Sequence, residues 1–307
     1  YFFVPRNVKE IQYYSEWPQI TNIFTVYGVG MTTARDDFVI DHDKRALSRR
    51  ISLFKNSNFD DNGLHISFKI RKKKGWNIRK AWNQLQQYDD VQVSANIQRL
   101  NYRPFDERFI FYHDALVWRT VKRVMHHMLK DNIGIATVRQ VKSGDTWQHC
   151  LISDKIVESS FVSNKTSEIG YLFPLYLYED NEKPNLFTSQ QSGREINLSE
   201  EFYGHLKDKF SSSLYPEVVL QYIYAILFCN TYRVKYFDFL KVDFPRIPFT
   251  KSNEVLQSMA KLGKRLINLH LLKSPELDNP TVRYQGQDDN HIIRSEERRV
   301  GKECRSR

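Results

Sequence analysis

Residues 216–229, PEVVLQYIYAILFC, are apolar on nearly every side of a helix. Pro216 suits the first turn, where a missing N–H would have had no intrahelical partner. A helix that is apolar all round has no face to give to water, so it must lie inside a core. The run is shorter than the about eighteen apolar residues a membrane span needs, and no longer run occurs. Whatever else the chain does, it must pack other elements around this helix. With 307 residues, 41% of them hydrophobic, it can build a large core in one or two domains.

The surroundings of that helix read as helical too. Ser199 is placed to cap a helix over 200–210, and 231–240 continues after a break. VDFPRIPF is a Pro-limited connector. Residues 252–272 carry Val255, Leu256, Met259, Leu262, Leu266 and Leu269 on one face. The polar stretch 179–197 is a subdomain boundary by composition. Upstream, strands are expected at 1–5, 20–27, 38–41, 64–70, 91–101, 109–113, 133–140, 147–153 and 169–178, and helices at 41–54, 77–88 and 119–130. The expected class is α+β: a β-rich mixed part over 1–185, then a helical part over 186–287. Residues 288–307 are expected to be disordered. Within them the last fourteen, RSEERRVGKECRSR, resemble vector-derived sequence and are set aside.

The net charge is +10, of which the last fourteen residues supply +3. That balance favours a polyanionic partner. Cys150, Cys229 and Cys304 are too scattered for a disulfide framework or a zinc site, which fits a reducing cytosol. Cys150 falls in an apolar strand and is expected to be inert. The opening YFFVPRNVKE has neither a signal-peptide pattern nor a starting Met, so the chain reads as a fragment.

The densest basic and aromatic patch is 101–140. In YRPFDER, Asp106 can hold Arg103 or Arg108, so either arginine is a phosphate contact or half of a structural pair. In 119–130, Val121, Val124, Met125, Met128 and Leu129 form a core face, while Arg119, Lys122 and Arg123 fall on the other side. His126 and His127 are adjacent, point apart and make poor co-ligands. The following strand ends in Arg139 and Gln140, whose side chains match guanine and adenine edges; Lys142 follows them. In GVGMTTARDD, residues 28–37, a nucleotide cradle would need a third glycine. Thr32, Thr33 and Arg35, with Asp36 holding Arg35, are either phosphate contacts or a turn with a surface ion pair. RKKKGW, residues 71–76, can bind phosphates and stack a base, or it is a solvated loop.

YRPFDERFIFYH, RTVKRVMHHML, NIGIATVRQ, EIGYLFPLYLY, YIYAILFCNTYRVKYFDFLKVDFPRIPF and LGKRLINLHLL resemble, in this order, the C-terminal specificity region of type ISP restriction–modification enzymes. Type IIL enzymes are similar. GVGMTTARDD resembles the junction between a γ-class amino-methyltransferase and its target recognition domain. The resemblance implies a recognition module for double-stranded DNA in a cytoplasmic bacterial or archaeal enzyme. It would place a target adenine for an N6-methyltransferase domain that this chain lacks. It also implies nuclease and translocase domains as partners. S-adenosylmethionine, Mg and ATP would serve those domains, and no cofactor or metal this one. Neither an Asn/Asp-Pro-Pro-aromatic signature nor a Walker loop is present, so no catalytic residue is expected here. On this reading Thr33, Arg35, Arg103, Arg108, Arg119, Lys122 and Arg123 bear on phosphates, and Arg139, Gln140 and Lys142 on bases. Two other readings stand beside it: a scaffold whose 252–272 helix binds other domains, and a catalytic fragment with unfamiliar motifs.

Overall fold

The apolar 216–229 segment folds as the helix Pro216–Phe228, whose Val219, Leu220, Ile223, Tyr224 and Leu227 are all buried. The structure, a computed structural model, describes residues 8–142, 144–165, 168–179, 193–211 and 214–279. The helix Asn253–His270 packs on Pro216–Phe228. At their contact a Cβ on Gly263 would overlap the Gln221 carbonyl oxygen and lie 2.7 Å from its carbon. Only glycine lets the two helices approach this closely. Gly263→Ala is expected to destabilise the chain by about 2 kcal/mol, the overpacking exceeding alanine's helix preference of about 1 kcal/mol. Urea unfolding measures it; an unchanged midpoint would mean that the helices can part without cost.

Ten strands are present among the described residues: β1 Gly28–Val29, β2 Ile40–Asp41, β3 Ile97–Arg103, β4 Asp106–Phe111, β5 Gly134–Val138, β6 Cys150–Ser153, β7 Ile156–Val157, β8 Gly170–Pro174, β9 Tyr176–Tyr178 and β10 Arg194–Ile196. One antiparallel sheet has the order β1-β8-β5-β6. A second runs β2-β4-β3-β7, with β7 parallel to β3. Strands β9 and β10 form a separate ribbon.

Strand β5 is buried along its whole length. Successive residues of a strand point to opposite faces. Ile135 and Phe173 accordingly enter a core shared with the Pro216–Phe228 helix, while Ala136 and Leu172 enter a second core with β3, β4 and the helix Lys44–Lys55. The first sheet is therefore a wall between two cores. The border does not follow the 185/186 division, because Trp147, Cys150 and Ile152 share a core with residues 198–267. The described residues up to Lys273 form one compact unit; beyond it, residues Pro275–Asp278 form a 3-10 turn capped by Ser274.

The class is α+β, as expected. Several strands of the sequence reading are helices instead. Residues 64–70 lie in the helix Asp61–Ser67 and its C-terminal turn, because the Asp60 carboxylate caps Gly63 N–H. The alternation of LHISFKI misled: Leu64 is buried and Ile66 is exposed. Residues 90–95 form a helix through a capping box of Asp89 and Gln92, and the strand begins only at Ile97. Ile20–Ile23 and Asp36–Val39 are single helical turns. The expected 119–130 helix is broken into Lys122–Met125 and a 3-10 turn His126–Leu129. Arg119 pairs with Thr32, and Val121 sits at φ 50°, which keeps the chain non-helical up to that point. The expected strand at 1–5 and the tail 288–307 lie outside the described residues.

Cys150 is wholly buried, and burial pushes its thiol up to about 12, out of reach of nucleophilic chemistry at neutral pH. His113, His149 and His270 all have their pKa lowered, chiefly by burial. The unfolded chain then binds protons that the folded chain refuses, so stability is full above about pH 6.5 and falls as the pH drops below it. The melting temperature is expected to decline between pH 7 and 5, ahead of carboxylate titration. A flat profile in that window would show that these imidazoles keep ordinary affinities.

Candidate nucleic-acid interface

Two segments rich in exposed cations pack on one another. Loop 71–76 leans on segment 113–120: Trp76 Nε1–H donates to the Ala115 carbonyl at 2.8 Å, and Lys73 Nζ sits 4.6 Å from the centre of the Trp118 ring. Arg71, Lys72, Lys73 and Lys74 are all exposed. The next residue after Trp118, Arg119, is exposed as well, and its backbone exchanges two hydrogen bonds with Thr32, at 2.9 and 3.0 Å. Lys122 pairs with Asp114 at 2.8 Å, and Arg123 Nη2 donates to the Tyr27 carbonyl at 2.7 Å. Thr32 and Tyr27 flank β1, the edge strand of the first sheet. The Lys122–Met125 turn rests on that edge, where Gly28 leaves room for Val124. Arg119, Lys122 and Arg123 thus follow β1 as a basic band, with Lys73 and Trp118 at one end.

Arg139, Gln140 and Lys142 leave the same sheet at one end of β5. Val138 pairs with Gly170 there, and the Gly170 carbonyl accepts from Gly30 N–H at 2.9 Å, just before Thr32. Strand β8 lies between β1 and β5, so the two groups of cations start about 10 Å apart, two strand spacings. All three side chains of the 139–142 group are exposed. Arg139 Nε donates to Asp243 at 3.1 Å in a solvent-exposed pair. The loop's root is fixed. Val141 is buried and its N–H donates to the Lys241 carbonyl at 3.0 Å, while Lys142 N–H donates to the buried Glu168 at 3.3 Å. Glu168 also accepts from Ser163 at 2.6 Å and pairs with His149 Nε2 at 3.1 Å.

Four expected phosphate contacts are engaged within the chain, Thr33 and Arg35 in its interior and Arg103 and Arg108 half-buried. Thr33 is buried and its hydroxyl donates to Asp36. Arg35 is 6% exposed; its Nη1 donates to the Leu116 carbonyl at 2.7 Å, and its guanidinium lies 3.6 Å from the Trp76 ring centre. Burial lowers its pKa to about 10, and its Nε and Nη2 meet no acceptor among the described residues. Asp36, expected to hold Arg35, accepts instead from Thr33 and from Tyr102 Oη. Arg103 pairs with the buried Glu158 at 2.7 Å, and Arg108 grips Asp106 with two nitrogens at 2.8 and 2.6 Å. Both guanidiniums flank the Tyr102 ring, at 3.9 and 4.2 Å. Desolvation, with Asp36 beside it, pushes the Tyr102 hydroxyl up to about 12. Gly30 is needed for packing: a Cβ there would lie 2.7 Å from the Glu158 backbone. Trp118 stands directly before the exposed Arg119, and an aromatic beside a cation is a sequence signal of a stacking platform.

His126 is held by backbone carbonyls of Lys122 and Tyr178, and His127 Nδ1 accepts from Tyr178 N–H. Among the described residues no three His, Cys, Asp or Glu side chains converge as a metal site requires. No described helix is long and apolar enough to cross a membrane.

Residues 22–302 match the family described as the type ISP C-terminal specificity domain. Curated proteins return no match. Among solved structures, the fold is similar to the DrdV–DNA complex, with 20% identity, a TM-score of 0.59, and coverage of 81% of this chain and 23% of that one. It is similar to a nuclease-deletion mutant of the type ISP restriction–modification enzyme LlaGI bound to a DNA substrate mimic, with 19% identity, a TM-score of 0.56, and coverage of 84% and 20%. It is also similar to the ATP-dependent type ISP enzyme LlaBIII bound to DNA, with 22% identity, a TM-score of 0.57, and coverage of 84% and 16%. The chain spans less than a quarter of the length of each.

Proposed function

Because the chain belongs to the type ISP C-terminal specificity domains, we propose that it is the DNA target recognition module of a restriction–modification enzyme. The observation that carries this reading is the exposed band of Arg119, Lys122 and Arg123 along β1, rising beside the Arg139–Gln140–Lys142 loop. The band neutralises phosphates and fixes the register of the duplex. The loop reads base edges in the major groove. The pair of Arg139 with Asp243 is exposed and worth little, so a guanine edge can replace the carboxylate. Thr33, Arg35, Arg103 and Arg108 keep these surfaces in place without touching DNA.

Methylation of the target adenine, translocation and cleavage belong, on this reading, to other domains of a longer cytoplasmic bacterial or archaeal enzyme. Those domains would take S-adenosylmethionine, ATP and Mg. The module's task is to present the adenine for flipping into the methyltransferase site. A scaffold role is compatible: Val255 and Leu262 lie seven residues apart and exposed on the Asn253–His270 helix, where another domain can cover them.

Fluorescence anisotropy with random-sequence duplexes at rising salt tests the reading. Three phosphate contacts from the band should give log affinity a slope against log salt of about −3. Affinity that ignores salt would sink it. The chain incubated with labelled S-adenosylmethionine and the same duplex is expected to transfer no methyl group.

A further inference from the structure

One basic feature, at the Lys73 end of the band, has a concave shape that the band and the 139–142 loop lack. Loop 71–76, the helix Asp61–Ser67 and the start of the helix Ile78–Leu85 border an open cleft of about 360 Å³. That volume lies in the range of about 300–1,000 Å³ usual for ligand pockets. Its walls are chemically uneven. Trp76 offers indole surface, and Lys72, Lys73 and Lys74 line one side. The guanidinium of the buried Arg35 covers one face of the indole, so the part of the ring lining the cleft is the part left uncovered. His65 Nδ1 lies 2.7 Å from the Ile70 carbonyl, which must accept, so the Nδ1 carries the proton and Nε2 is an acceptor in the neutral ring. Asn77 Oδ1 accepts from Lys80 N–H at 2.8 Å, which directs its amide as a donor. Asp61, also in the wall, is engaged by Arg79 at 2.8 Å.

A phosphate alone would use only the lysines. An aromatic surface, one hydrogen-bond acceptor, one donor and three cations together match a nucleobase with its phosphate. We infer that this cleft holds one unstacked nucleotide of bound DNA, its base against Trp76 and its phosphate on Lys72–Lys74. The inference rests on the DNA-reading assignment and adds to it: a paired base has no access to such a pocket, so the site favours DNA in which a nucleotide has left the helix.

The experiment compares three DNAs by anisotropy with the 307-residue chain: a paired duplex, the same duplex with one extrahelical nucleotide, and the corresponding single strand. The extrahelical nucleotide is expected to raise affinity about tenfold, the value of one stacked base. Trp76→Phe should keep the gain and Trp76→Ala should remove it. Since Trp76→Ala also removes a contact to Arg35, Asn77→Asp is the second variant. Aspartate caps the helix as well as asparagine but puts a carboxylate where the phosphate and base must lie. It should bring the ratio of extrahelical to paired affinity close to one. Competition by the single strand would show that any unstacked nucleotide enters; competition by the extrahelical duplex alone would tie the site to an interrupted helix. A paired duplex that binds while the extra nucleotide adds nothing overturns the pocket and leaves the DNA-reading assignment intact, as does a gain that survives both Trp76→Ala and Asn77→Asp. No binding to any duplex overturns both.

Discussion

Replacing Arg119, Lys122 and Arg123 together by alanine is expected to weaken binding to random duplexes about a hundredfold at low salt. Each residue is exposed, and each phosphate contact contributes roughly 1 kcal/mol, so three amount to about two powers of ten. The loss should be uniform across sequences, because phosphates carry no sequence information. The salt slope should flatten by about one unit per residue removed. Stability should barely change: the pair of Lys122 with Asp114 and the contact of Arg123 with Tyr27 are both at the surface. Substituting Arg139 and Gln140 should act in the opposite sense, sparing random-sequence affinity and narrowing discrimination between sequences. A triple variant that binds as well as the parent would move the interface elsewhere on the chain.

The second large effect concerns a residue with no role in DNA contact. Asn197 is fully buried and uses all its hydrogen-bonding capacity. Its amide donates to the carbonyls of Val26 and Pro174, both at 2.7 Å. Its carbonyl oxygen accepts from Thr25 Oγ1 and from Val26 N–H, both at 2.7 Å. It therefore stitches the approach to β1, the end of β8 and the start of the Glu200–Phe210 helix. Asn197→Ala leaves several polar groups without partners, at roughly 1–3 kcal/mol each, so a loss of about 4 kcal/mol is expected. Asn197→Asp keeps the acceptor and loses both donors, and should cost less than alanine only at low pH, where the carboxyl can donate. Urea denaturation followed by far-UV circular dichroism reads both. A loss below about 1 kcal/mol for alanine would mean that water satisfies the site.

Much of the fold could be read from the residues because burial leaves a period. The Pro216–Phe228 and Asn253–His270 helices and strand β5 declare themselves through apolar spacing. What misled was short-range. LHISFKI alternates as a strand does, yet one carboxylate from Asp60 starts a helix there. VQVSAN alternates too, yet Asp89 and Gln92 close a capping box. Caps act through a single hydrogen bond and leave no periodic trace, so they lose to alternation in a reading by pattern. At the site, the difficulty was the ambiguity of arginine. Arg35, Arg103 and Arg108 have the same composition around them as Arg119 and Arg123, but Glu158, Asp106, Tyr102 and Trp76 claim them. Glu158 is 55 residues from Arg103 in the chain, so nothing local announces that pair. Asn132 and Asn197 are buried staples that no local pattern announces, because their partners come from distant segments.

The loop after β5 is moored at Val141 by the Lys241 carbonyl and at Lys142 by Glu168, and beyond these points 144–146 are exposed. A segment tied at its foot and free at its crest behaves as an exchangeable cassette. The side chains at its tip can be lengthened, shortened or swapped while Val141, Glu168 and both cores stay as they are. New recognition sequences could then arise by replacing a handful of residues at one end of one strand, with the phosphate band and the braces around Tyr102 inherited unchanged. On the proposed reading, the architecture would separate what must hold DNA from what must vary to tell one DNA from another.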